Sequence, residues 1–186
     1  LPMSQRRMSA VAGVVGGRLV VAGGFDDVGN LTSVEAYTPT GWTPLPPLPH
    51  TTSFATACVL NGRLYVMGGI SCDKLQVLEW SEENGFSWTV KADLPAARGA
   101  AAGAVHDGRL WLIGGDIEFE PTASVIIYDI DSDSWAAGPA LPRPINHGRA
   151  AELDGEIKFT AETCCLALRN GTWAQDFEGP ICNLPA

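Results

Sequence analysis

Basic residues are scarce in this chain. Its 186 residues include 12 Lys+Arg against 21 Asp+Glu, a formal net charge of -9. Without a basic stripe to displace counterions, a nucleic-acid partner is not expected. Long apolar runs are also missing: none approaches the ~20 residues that span a bilayer, so no membrane partner is expected. No signal-peptide pattern opens the chain, which starts at Leu1, and its true N-terminus is expected upstream. The five cysteines, Cys58, Cys72, Cys164, Cys165 and Cys182, show no C-x-x-C spacing. That argues against a zinc site or a disulfide framework. Free thiols in a reducing cytoplasm are the expectation. The sequons at Asn30 and Asn170 would matter only in a secreted chain. His50, His106 and His147 keep no metal-ligand spacing, so no metal or other cofactor is expected.

What the chain does have is turns and apolar residues. It contains 21 Gly and 13 Pro, and 46% of it is hydrophobic. That is enough for a core divided among many short strands, and it excludes wholesale disorder. The pattern repeats. GGRLVVAGG (16–24) returns as NGRLYVMGG (61–69) and DGRLWLIGG (107–115), with a worn copy, DGEIKFTAE, at 154–162. Gly23, Gly68 and Gly114 lie 45 and 46 residues apart, and Trp42, Trp88, Trp135 and Trp173 follow at 46, 47 and 38. Leu-Pro pairs at 1–2, 48–49, 94–95, 141–142 and 184–185 mark off four units: 1–47, 48–93, 94–140 and 141–186.

Each unit reads as four strands. The first is small and apolar, over Ser9–Val15, Phe54–Leu60 and Ala100–His106. A two-residue turn follows, Gly16-Gly17, Asn61-Gly62, Asp107-Gly108 or Asp154-Gly155, of the kind that closes an antiparallel hairpin. The second strand (Leu19–Ala22, Leu64–Met67, Leu110–Ile113) is an unbroken apolar run, as expected for burial on both faces. The third (Val34–Tyr37, Gln76–Trp80, Val125–Tyr128) ends in an aromatic, and the fourth begins near the tryptophan.

Double Gly after an apolar strand, an aromatic on the next strand, then Trp: this sequence resembles the kelch repeat. The resemblance implies an all-β fold, a β-propeller of four-stranded antiparallel blades. Because kelch propellers usually have six or seven blades, the four units are expected to be part of a larger ring. Unit four departs from the pattern: Ala161-Glu162 replaces the double Gly and Leu168 or a neighbour replaces the third-strand aromatic, so a regular blade is not assured there. The resemblance also implies a protein-interaction module with a protein or peptide partner, such as the substrate-recognition part of a ubiquitin-ligase adaptor. The alternative it leaves open is a kelch-fold enzyme, a sugar epimerase or copper radical oxidase. Tyr37, Tyr65 and Tyr128 sit in scaffold positions, which disfavours the copper chemistry.

Two groups of loops are candidate binding sites. The loops after the double Gly carry Asp26, Asp27, Asp73, Asp116, Glu118 and Glu120, which would attract a basic peptide or a cation. Before the first strands stand Arg7 and Arg98, each ten residues ahead of the second turn glycine, with Thr52 and Ile145 as their counterparts. In kelch adaptors an arginine at this place faces a central pocket, where its fork suits acidic peptides. Pairing with a nearby loop carboxylate is the competing expectation. His50, Asn146, His147 and Arg149 would extend the same rim. The run Asp129–Ser134 begins like a calcium loop, yet has Ser134 where glycine belongs and Ala140 where a bidentate Glu belongs, so it reads as a polar turn. Cys164-Cys165 reads as a buried apolar pair, and His106 as an exposed turn flank.

Overall fold

The computed structural model describes residues 2–161 and 164–176. Leu1, Cys182, the Leu-Pro pair at 184–185 and Glu162 of the worn motif lie outside the described residues. The chain divides into two compact units, Leu1–Gly99 and Ala100–Ala186.

The first unit holds two four-stranded antiparallel sheets, each a simple meander. One is β1 (Val11–Val15), β2 (Arg18–Ala22), β3 (Val34–Thr38) and β4 (Gly41–Leu45). The next is β5 (Thr56–Leu60), β6 (Arg63–Met67), β7 (Leu75–Ser81) and β8 (Gly85–Lys91). In the second unit, β9 (Ala102–His106) and β10 (Arg109–Ile113) are followed by a small hairpin, β11 (Asp116–Ile117) and β12 (Glu120–Pro121). The sheet then resumes with β13 (Val125–Asp129) and β14 (Ser134–Ala137). Last come β15 (Arg149–Leu153), β16 (Glu156–Ala161), β17 (Cys164–Arg169) and β18 (Thr172–Gln175). The degenerate fourth repeat therefore builds a sheet of the same order.

Local chemistry explains the hairpins. Asn61 and Gly62 have φ of 51 and 73°, and Asp107 and Gly108 have 49 and 68°. These left-handed pairs make the tight turns whose twist matches the strands. The first strands begin two residues later than the sequence suggested. Ser9, Phe54 and Ala100 have φ of 50, 55 and 51°, and a left-handed residue ends strand pairing. His147 stands ahead of β15 with the same geometry, at 53°.

The double glycine and the Leu-Pro pair form one joint. Leu48, Leu94 and Leu141 donate their N–H to Thr32, Asp73 and Ala123 at 2.9, 2.7 and 2.8 Å. Their side chains are buried where a Cβ on Gly23, Gly68 or Gly114 would project. The second glycines, Gly24, Gly69 and Gly115, each donate at 2.8 Å to the carbonyl of Thr52, Arg98 or Ile145. The repeat tryptophans add a further tie. Trp88 Nε1 donates to the Pro46 carbonyl at 2.9 Å, and Trp173 Nε1 to that of Pro139 at 2.8 Å. Each unit has its own core: Val20, Val34, Leu64 and Leu78 in the first, and Ile113, Val125, Phe159 and Leu166 in the second.

One aromatic is out of step. Tyr37, Tyr128 and Leu168 lie opposite the repeat tryptophans Trp42, Trp135 and Trp173. In the second sheet the residue opposite Trp88 is Leu78, while Trp80 pairs with Phe86 farther along. Trp80 is not the repeat aromatic. It sits on an extension of the β7–β8 hairpin, whose strands are each 7 residues long.

Other sequence expectations are also revised. Cys164 is buried in the core while Cys165 is half-exposed, as strand alternation requires, so they are not a buried pair. His106 is no exposed flank. It bonds Glu152 of β15 at 2.9 Å and packs edge-on against Trp111. Asp129–Ser134 is a polar turn in which Asp129 Oδ1 accepts from the N–H groups of Asp131 and Ser132, both at 3.1 Å. Burial pushes the Cys58 thiol up to about 12. Only the thiolate is nucleophilic, so Cys58 is expected to resist iodoacetamide at pH 7.5 in the folded chain and to react in urea, as peptide mass mapping would show. Labelling of Cys58 in the folded chain would contradict this.

Candidate binding surface

The two groups of loops that the sequence kept apart meet at one end of the strands within each unit. Met8, in the loop entering β1, exchanges two 2.9 Å backbone bonds with Phe25, in the loop leaving β2. In the second sheet Ile70 donates to Ser53 at 2.9 Å. In the second unit Asn146 Nδ2 donates to Asp116 Oδ1 at 2.8 Å. Within each unit, acidic and basic candidates thus lie at the same end of the strands and answer one another there.

Arg7 shows this most clearly. Its Nη1 donates to the carbonyls of Gly23 and Ser33 at 2.8 and 2.9 Å; its Nη2 donates to Ser33 Oγ and Glu35 Oε1, both at 3.0 Å. The two charged side chains are only 1% and 3% exposed. This guanidinium is not presented to solvent; it pairs with a carboxylate, though one on β3 rather than on a loop. Burial raises the Glu35 pKa, but the N–H and hydroxyl of Ser4, Arg7 and the Gln5 N–H outweigh it and hold the group below its ordinary 4.5. Arg98 is buried too, and desolvation lowers its pKa. Neither arginine side chain lies on the surface.

The acidic candidates are mostly engaged. Asp26 Oδ1 accepts from the N–H groups of Val28 and Gly29 at 2.8 and 3.2 Å, and Oδ2 from Gln5 Nε2 at 3.0 Å. Those bonds, the Val28 N–H foremost, hold its pKa below the usual range. Asp27 pairs with Arg6 at 3.3 Å, and Lys74 bridges Asp73 and Asp93. His50 is exposed, but its main chain is clamped by the fully buried Gln76, which accepts from the His50 N–H at 2.8 Å and donates to its carbonyl at 3.1 Å. His147 and Arg149 are exposed beside Asn146. Arg149 Nη1 donates to the Gly148 carbonyl at 2.9 Å.

Sequence reasoning missed Glu35 and Gln76, buried polar residues at the same place on β3 and β7. It also passed over two apolar loop tips. Val28 is 96% exposed and Phe119 76%. Each stands four residues after the second glycine of its pair, so the repeat register itself held the signal. Single exposed apolar side chains are common on protein surfaces; these two are set apart by recurring at the same place in the repeat. Among the described residues no cluster of three or more His, Cys, Asp or Glu could hold a metal ion. No helix among them is long and apolar enough to cross a membrane. In each unit the loops offer an apolar tip together with carboxylates and a histidine, a chemistry suited to contact.

Comparison with known proteins agrees with this architecture. Residues 6–49 and 97–142 match the Kelch motif family. Kelch-like protein 35 of Mus musculus is 28% identical over 148 residues, covering 76% of this chain and 24% of that protein. Its counterpart in Homo sapiens is 31% identical over 144 residues, covering 75% and 24%. The chain therefore spans about a quarter of the length of these curated relatives. The solved structure of YjhT superposes with a TM-score of 0.79 at 17% identity, over 92% of this chain and 71% of that one. This likeness shows the fold, an all-β propeller of four-stranded blades.

Proposed function

From the premise that the chain belongs to the kelch-repeat β-propeller family, we propose that it is a non-catalytic protein-binding module that makes contact through its apolar loop tips, Val28 in the first unit and Phe119 in the second. One observation carries this reading: two large apolar side chains stand exposed at equivalent loop tips while the neighbouring charges are largely paired within the chain. Interfaces draw their energy from such apolar anchors, with a polar rim that excludes water. Asp26, Asp27, Asp73 and His50 would form the polar rim in the first unit, and Asp116, Asn146, His147 and Arg149 that in the second. The Arg7 guanidinium and the Arg98 carbonyl hold loops of the first unit in place. In the full-length cytoplasmic protein, the module would recognise substrates for a ubiquitin-ligase adaptor, as the kelch resemblance implies.

The test compares the wild-type protein with a Val28→Asp/Phe119→Asp double variant, each used to recover partners from cells of the source organism. Loss of two apolar anchors should deplete the bound proteins roughly tenfold or more, since each tenfold corresponds to about 1.4 kcal/mol. Both sites are exposed, so the melting curve should not move. Equal recovery by the two proteins would refute the assignment of this surface. For the adaptor role, depleting the full-length protein should lower ubiquitination of whichever partner the double variant loses.

A further inference from the structure

The extended β7–β8 hairpin has a second consequence, at the opposite end of the first unit's strands. There the β1–β2 turn, the β5–β6 turn and the hairpin extension enclose a cleft of about 610 Å³. Trp80 lines it, 42% exposed. Its indole lies against Gly16, where a Cβ would fall 2.8 Å from the ring carbon Cγ. That contact accounts for an oddity of sequence. The equivalent turn residues are Asn61, Asp107 and Asp154, with φ of 51, 49 and 53°, and Gly16 has nearly the same φ, 55°. Asn or Asp would suit the backbone at residue 16 equally well. The space taken by the Trp80 ring is what demands glycine.

The rest of the lining is polar and close to neutral. Asn61, Asn84 and Ser87 contribute amides and a hydroxyl. Arg63 and Glu79 line the cleft too, and their ion pair at 3.0 Å cancels their net charge. A flat aromatic surface beside neutral donors and acceptors matches the two sides of a pyranose ring. The axial C–H groups pack on the indole, and the equatorial hydroxyls bond to amides, a guanidinium and a carboxylate. An anionic or cationic ligand would find no net countercharge here, and an apolar one would leave the amides unsatisfied. We propose that this cleft is a binding site for a neutral sugar ring, built by the hairpin extension and separate from the protein-binding surface.

The test applies saturation-transfer NMR to the whole 186-residue chain, using methyl glycosides of glucose, galactose, mannose and N-acetylglucosamine. The ¹⁵N–¹H resonance of the Trp80 indole is followed in the same titrations. At least one glycoside should receive saturation on its C–H face and shift that resonance, with Kd on the order of 1 mM, as expected for a single ring. Trp80→Ala should weaken binding at least roughly tenfold. Gly16→Asn should do the same, because it keeps the turn and removes no polar group but displaces the ring. Both variants should stay folded, Trp80→Ala near the wild-type melting curve and Gly16→Asn below it because its Cβ meets the near end of the Trp80 side chain, and both should keep the partner recovery assigned to Val28 and Phe119. No transfer to any glycoside, or transfer that survives both substitutions, would overturn the proposal. So would a Trp80 shift produced by a proline-rich peptide and by none of the sugars.

Discussion

Replacing Arg7 with alanine is expected to cost about 3–5 kcal/mol, the usual penalty for leaving one member of a buried ion pair without its partner. Against a typical total stability of ~5–15 kcal/mol, that would leave the first unit marginal. The cause is the stranded Glu35 carboxylate, which would keep only its bonds from Ser4 and from the Gln5 N–H, the two main-chain ones at 2.8 and 3.4 Å. Arg7→Lys should recover part of the loss, since it restores the charge but not the fork that spans Gly23, Ser33 and Glu35. Removing both partners, as Arg7→Met with Glu35→Leu, should cost less than Arg7→Ala alone, because no uncompensated charge stays buried. Urea denaturation of the four proteins decides the matter. An Arg7→Ala midpoint equal to wild type would show that the pair contributes nothing.

The same pair sets a pH dependence. Because Glu35 titrates below its ordinary 4.5 in the folded chain, the unfolded chain binds more protons in that interval. Stability therefore rises with pH there. The contribution is complete above about pH 4.5 to 5.5 and is lost as pH falls through the folded value. Glu35→Gln should flatten this acid limb while lowering stability at pH 7. An unchanged slope below pH 4.5 in that variant would assign the acid limb to other carboxylates.

The second large effect belongs to the double glycine. Gly62 and Gly68 both have positive φ, 73 and 65°. Around Gly62 there is open space, whereas a Cβ on Gly68 would sit 2.7 Å from the Arg98 carbonyl oxygen and 3.2 Å from Leu94 Cδ2. Gly62→Ala should cost about 1–2 kcal/mol, the left-handed penalty alone. Gly68→Ala adds a clash with main chain that cannot rotate away, and should exceed about 4 kcal/mol. Their difference measures the close approach itself. If urea midpoints moved equally in the two variants, the joint between the double glycine and the Leu-Pro pair would not be a point of tight packing.

Much of this fold could be read before any coordinates. Asn-Gly and Asp-Gly turns close hairpins between neighbours in sequence, so their placement needs only local chemistry. The spacing of Gly23, Gly68 and Gly114 carried the strands of three repeats. That each double glycine packs against the buried Leu of a Leu-Pro pair emerged only from the structure, because it needs residues 25–30 places apart to meet. The fourth repeat was harder to read, since side-chain packing around Phe159 and Trp173 keeps its sheet despite the loss of the glycine signature.

The binding surface was only half legible. The sequence named the loops and their charges but could not pair them, because partners such as Arg7 and Glu35 or Asn146 and Asp116 are 28 and 30 residues apart. For Arg7 the sequence therefore left a ligand-facing role and a carboxylate pairing both open. Trp80 was misread for a related reason: the repeat fixes where the third strand starts but not how far a hairpin runs past it. The sequence by itself determined the strands, the tight turns and the all-β class, each set by neighbours along the chain. Tertiary structure alone decided which charges cancel, which apolar side chains stay exposed and which aromatic leaves the scaffold. Those outcomes depend on what each side chain meets across the sheets.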